Sequence, residues 1–149
     1  MNFFSKDKKS AFEAKEAAQW IAFGPVIFQA SCVLRNSGIL QLIEDSGSAG
    51  LTNEEIAEKV NLSDYGVRVL LESGLGLGLV LVNAKKYTLG KTGHFILHDP
   101  LTKTNMDFVH DVNYKGLFYL DESIETGKAA GLKEFGDWPT IYEGLSQLP

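Results

Sequence analysis

The sequence predicts a mainly α-helical protein: a winged helix-turn-helix with a small β-hairpin and extra N- and C-terminal helices. Three observations carry this. Two capped helical stretches follow one another across a short turn between Leu51 and Leu77. Directly after them, Leu79–Val82 and Lys86–Leu89 flank a tight connection at Asn83–Lys85, which is the pattern of a hairpin. Long segments of helical apolar periodicity lie on either side. Helix, turn, helix and hairpin in that order make a winged helix-turn-helix.

The first part runs from Ser10 to about Glu44. Ser10 and Glu13 have the spacing of a capping box, and Ala11, Ala14, Ala18, Ile21 and Ala22 form a small-residue face beside Phe12, Trp20 and Phe23. Gly24-Pro25 predicts a break and a second helix, Val26 to Glu44, because proline suits a first turn and not an interior. That second helix is apolar around most of its circumference and therefore demands cover on nearly all sides. In the middle part, Thr52 and Glu55 form another capping box, with Ile56, Ala57 and Val60 facing inward. Ser63 caps the next helix, which buries Val67, Leu70, Leu71 and Leu75. Asp99-Pro100 then breaks the chain before a helix from about Met106 to Ile124, ended by Thr126-Gly127. Pro139 is read as starting a last short helix, Thr140 to Leu148.

Composition bounds the class. With 149 residues, 44% hydrophobic and 22% charged, the chain suits one globular domain with a real core,. The domain reading is a single unit over 1–149: helices for self-association in 1–50, the winged part in 51–97, and a helix and connector in 98–149. A single cysteine, Cys32, excludes an internal disulfide and a thiolate zinc cluster,; among apolar neighbours it reads as an inert core thiol. The N-terminus lacks a signal-type apolar core. With charges read as interrupting every long apolar run, no membrane segment is expected, and the expected location is cytoplasmic.

Few motifs suggest chemistry. Gly74-Leu-Gly-Leu-Gly78 invites a nucleotide-loop reading, but such a loop needs a strand before the glycines and a helix after. Here that order is reversed. Gly78 instead reads as the left-handed residue closing a helix, and Gly74 and Gly76, each costing about 1 kcal/mol in a helix, point to a close helix approach. His94 and His98 share a helix face, yet no third ligand is indicated, so they read as exposed residues near a helix end and no metal is expected. Asp121, Glu122 and Glu125 read as an exposed acidic face. No catalytic residue and no cofactor-binding residue is predicted.

A stand-alone winged-helix transcription regulator is the alternative function. Its reading helix would present Asp64, Tyr65, Arg68 and Glu72, with Lys85, Lys86 and Lys91 near the wing. One cation against two anions on the helix, in a chain of net charge −5, disfavours nucleic acid, whose affinity rests on phosphate contacts.

Five stretches then matter in order: Ala30–Ile43, Leu51–Val60, Leu70–Leu79 with its Gly-Leu ending, Lys86–Leu89, and Thr140–Pro149. Together they resemble the N-terminal dimerisation domain of small-molecule O-methyltransferases that depend on S-adenosylmethionine. Gly90 departs from the family, which usually has Thr or Ser capping the next helix there; glycine caps nearly as well. No cofactor loop, ribose-binding acid or catalytic base is present, so this chain is expected to be inactive alone, to bind no cofactor, and to be a fragment. The resemblance implies a homodimer whose N-terminal helices intertwine, with Trp20, Ile27, Ala30, Val33 and Leu34 at the interface. It implies pocket residues Phe12, Phe23, Met106, Asn113 and Tyr114 around a small-molecule substrate. In the full-length enzyme, which would use S-adenosylmethionine, a base on the other half would deprotonate an acceptor hydroxyl for attack on the methyl sulfonium. This chain would supply apolar walls and exclude water.

Overall fold

The computed structural model describes residues 6–136 and 138–146. They form two compact units, Met1–Leu97 and His98–Pro149. The first contains α1 (Ala11–Asn36), α2 (Ile39–Asp45), α3 (Asn53–Val60), α4 (Asp64–Gly76), β1 (Val80–Asn83), β2 (Lys86–Leu89) and all but the last residue of α5 (Lys91–His98). The described residues are mainly helical, with one two-stranded antiparallel sheet in winged-helix-like order.

The predicted caps are present. Ser10 accepts from the Glu13 amide while Glu13 accepts from the Ser10 amide, and Thr52 and Glu55 repeat the exchange. Ser63 accepts from the Gly66 amide. Gly78 has φ +67° after α4, as the helix stop requires,. One helical boundary differs. α1 runs unbroken through Gly24-Pro25 for 26 residues and ends at Asn36. Pro25 removes one interior N–H, but Ile21, whose carbonyl it would have served, is 80% exposed, and nothing stands within 4 Å of an added Gly24 Cβ. The helix therefore has room to accommodate the ring. The real break is at Ser37-Gly38, where Gly38 takes φ +80°, a helix stop that Asn36-Ser37-Gly38 spells in the sequence.

α1 also corrects the reading of charge. Residues 17–34 contain no charged side chain, and the helix is long and apolar enough, by length and composition, to cross a membrane. Its last turns are instead packed inside the first unit, where Ser31, Cys32 and Leu34 are buried. They join Ile39, Leu40 and Ile43 of α2, Ile56 and Ala57 of α3, and Val67 and Leu71 of α4. Gly74 shows why α4 carries a glycine at this point. A Cβ there would press on Val80 Cγ2 at 3.2 Å and Leu34 Cδ1 at 3.3 Å.

The hairpin pairs Val80 with Leu89 and Asn83 with Lys86. Asn83 thus belongs to β1, leaving Ala84-Lys85 as a two-residue turn, both with positive φ, as a type I′ turn needs. Leu51 bridges to Tyr87 on the outer side of β2, through N–O distances of 3.1 and 2.7 Å.

α5 lies so close to the start of β1 that Cβ atoms at Gly90 and Gly93 would collide with the carbonyl oxygens of Gly78 and Leu79 respectively. Glycine at position 90 is therefore imposed by backbone contact and is not just a tolerable cap. Gly93→Ala is expected to destabilise the first unit by about 1–3 kcal/mol. Gly76→Ala, with nothing within 4 Å, should be neutral or stabilising by up to about 1 kcal/mol. Thermal melts followed by circular dichroism compare the two.

The second unit departs most from expectation. The single helix predicted from Met106 to Ile124 is instead α6 (Pro100–Phe108), a π-turn at Val109–Asn113, a 3-10 turn at Gly116–Tyr119, and α7 (Leu120–Thr126). Asp99-Pro100 both breaks the chain and starts α6, with Asp99 accepting from the Thr102 amide at 2.7 Å and Pro100 in the first turn,. The interruption follows from a glycine crossing, since a Cβ on Gly131 would strike the Gly116 backbone. Gly127 (φ +67°) closes α7 as expected. A 3-10 turn at Ala130–Glu134 leads to α8 (Ile141–Leu145); the predicted end at Leu148 lies outside the described residues.

The helix caps make a pH prediction. Hydrogen bonds from Thr102 hold the Asp99 carboxyl below its usual range, and those from Ser10, backbone first, do the same for Glu13. A carboxyl lowered in the folded state contributes stability above its unfolded pKa, and that contribution is lost as pH falls through the folded value. The first turns of α1 and α6 should therefore fray below about pH 4, seen as faster amide exchange at Glu13 and Thr102. Asp99→Asn should remove the acid dependence at Thr102.

Candidate functional site

In the first unit an apolar groove of about 620 Å3 runs between α1 and the end of α4. Its α1 wall follows from spacing: Phe12, Glu16, Trp20, Phe23, Ile27 and Ala30 recur at intervals of three or four and so share one helix face. The same stripe continues to Leu34, where the core covers it. The opposite wall is Glu72, Ser73 and Gly76 of α4 with Leu77, its C-cap. Phe12 is 76%, Trp20 48% and Phe23 54% exposed, so α1 presents an aromatic face that the described residues of its own unit leave uncovered.

The structure thus brings together five residues that sequence reasoning divided between two roles. Phe12 and Phe23, expected around substrate, and Trp20, Ile27 and Ala30, expected between subunits, line one groove. Val33 is exposed on α1, and Leu34 is fully buried in its own unit against the Gly74 site. In the second unit Met106 is buried, Asn113 lines a cleft of about 240 Å3 with Phe108, Val112 and Leu117, and Tyr114 is half-buried. Sequence reasoning missed the α4 wall. Gly76, which it assigned to a close helix approach, was the available signal, since it has open space over it.

Polar groups in the two units do not form a proton-transfer site among the described residues. In the second unit the Tyr119 hydroxyl donates to Glu134 Oε1 at 2.7 Å, and Lys133 Nζ donates to Glu122 Oε2 at 2.6 Å while lying 3.9 Å from the centre of the Tyr119 ring. The bond to Glu134 pushes the Tyr119 phenol up, and the bond to Glu122 pushes the Lys133 ammonium up. Both groups keep their protons at neutral pH, so neither is poised as a base. His94 Nδ1, exposed, lies 2.9 Å from Oε1 of half-buried Glu44. On α4, Asp64, Tyr65, Arg68 and Glu72 are all exposed as predicted, and the Arg68 guanidinium sits 5.6 Å from the Tyr65 ring centre.

Residues 15–87, which span the groove's α1 wall from Lys15 onward, the α4 wall and most of the hairpin, match the family described as the Dimerisation2-like domain. Over this segment the chain is similar to that family. The resemblance read from the sequence is borne out for it. Among solved structures, the chain is similar to the S-adenosylmethionine-dependent methyltransferase SibL in its apo form. The TM-score is 0.76 and the identity 26%, over 89% of this chain and 40% of that one. It shares the fold of human N-acetylserotonin methyltransferase, solved in complex with SAM, at TM-score 0.72 and 18% identity, over 97% of this chain and 43% of that one. The chain therefore spans less than half the length of either solved relative. No curated protein matches this sequence.

The glycine run does not fit S-adenosylmethionine. The space that a cofactor would need over Gly74 holds the side chains of Val80 and Leu34, and the run ends a helix instead of opening one.

Proposed function

We propose that this chain is the self-association and substrate-enclosing part of an S-adenosylmethionine-dependent methyltransferase acting on a small-molecule hydroxyl, with cofactor and base supplied by another domain. The observation that carries the reading is the uncovered aromatic face of α1 inside a Dimerisation2-like segment. Apolar area left in water costs about 25 cal/mol per Å2, and a second copy of the same helix offers the matching apolar surface that a two-fold contact requires. Trp20, Ile27, Ala30 and Val33 are the proposed contact residues, with Leu34 supporting them from the core. Phe12 and Phe23 are proposed as pocket residues in the first unit, and Met106, Asn113 and Tyr114 are proposed separately in the second. These residues would bind, shape and dry the site, and none would move a proton.

Sedimentation velocity tests the first half of this. A dimer at micromolar concentration is expected, and a clean monomer there would overturn it. Calorimetry with S-adenosylmethionine tests the division of labour. No heat of binding is expected from this chain, whereas a submillimolar affinity would place the cofactor here.

A further inference from the structure

The geometry points to a hinge at Gly24-Pro25 that lets the first half of α1 act as a movable wall of the groove. Local sequence and local packing disagree there. Pro25 has no N–H for the carbonyl of Ile21 in the interior of a 26-residue helix,, and beside it stands glycine, the weakest helix former after proline. Packing does not ask for that glycine. Its backbone is ordinary helix, and an added Cβ would meet no atom within 4 Å. Two helix-weakening residues therefore stand together where alanine would fit.

Anchoring sets in just beyond the pair. From Ala11 to Val26 α1 is exposed apart from half-buried Ala17 and Gly24, Ile27 to Ala30 are half-buried, and Ser31, Cys32 and Leu34 fix the helix in the core. The groove divides there too. Phe12, Glu16, Trp20 and Phe23 belong to the loose arm, while Ala30 and the α4 wall belong to the anchored body. A bend at residues 24–25 changes the distance from the arm to Glu72 and Gly76 and leaves the core as it is. The groove thus opens to admit an occupant and closes on it without unfolding anything. This hinge does not presuppose a second copy of the chain.

The test places spin labels at Gln19→Cys and Glu72→Cys in the full chain, with buried Cys32 left in place and excess unlabelled chain added so that only distances within one chain are read. Pulsed dipolar measurement should give a broad or two-peaked distance distribution, which Gly24→Ala/Pro25→Ala narrows to one peak. In the same double variant, amide exchange over residues 21–24 should slow by at least about tenfold, the direction set by restoring one helix bond and removing a glycine. Exchange over residues 31–36 should not change. A single narrow distance with Gly24-Pro25 intact would overturn the hinge, as would a distribution and exchange rates unmoved by the double substitution. Sedimentation of the same samples separates the two ideas. A monomer with two separations keeps the hinge and ends the self-association reading, and a dimer with one separation does the reverse.

Discussion

Leu34→Asp is expected to unfold the first unit outright. Leu34 is fully buried, with its Cδ1 3.3 Å from where a Gly74 Cβ would stand, so a carboxylate there is cut off from water. Removing the side chain alone, as in Leu34→Ala, should cost about 2–5 kcal/mol, in line with other buried leucines. Small domains have only about 5–15 kcal/mol in total, and the added desolvation of a buried charge exhausts that margin. Far-ultraviolet circular dichroism should show Leu34→Ala melting about 10 °C or more below the native chain, and Leu34→Asp lacking a cooperative transition. A folded Leu34→Asp protein would show that this position is not core.

Seven residues earlier on α1 the same change has a different expected result. Ile27→Asp, alone or with Trp20→Asp, should leave the chain folded, because both positions line an open groove and not the core. In sedimentation it should turn a dimer into a monomer, with the dissociation constant rising by about a hundredfold or more, the size of effect expected when a central apolar anchor is replaced by a charge. Unchanged association would remove α1 from the interface and with it the reading of this face. Together, Leu34 and Ile27 separate folding from assembly on one helix.

Local chemistry was legible and long-range contact was not. The capping boxes at Ser10 and Thr52, the stop at Gly78 and the hairpin at 80–89 each rest on a few neighbouring residues, and each is present. The unbroken α1 was illegible because the rule that proline ends helices ignores whether the carbonyl it abandons faces open space. The broken stretch between Met106 and Ile124 was illegible for a related reason. Its apolar spacing is helical, but Gly116 is held against Gly131, a contact that no window of sequence contains. The groove was half legible. The α1 stripe can be counted off the sequence, whereas the wall from Glu72 to Leu77 depends on how α4 crosses it.

The bridge between Leu51 and Tyr87 ties the wing into the body at a fixed rung. Extending the strands outward at Ala84-Lys85 would leave that rung untouched, so length can be added at the tip. Sliding β2 by one residue would lose the rung and turn Tyr87 to the opposite side of the ribbon. Variation in the wing is thereby channelled into its reach, while the pitch of its side chains is locked to the entrance of α3.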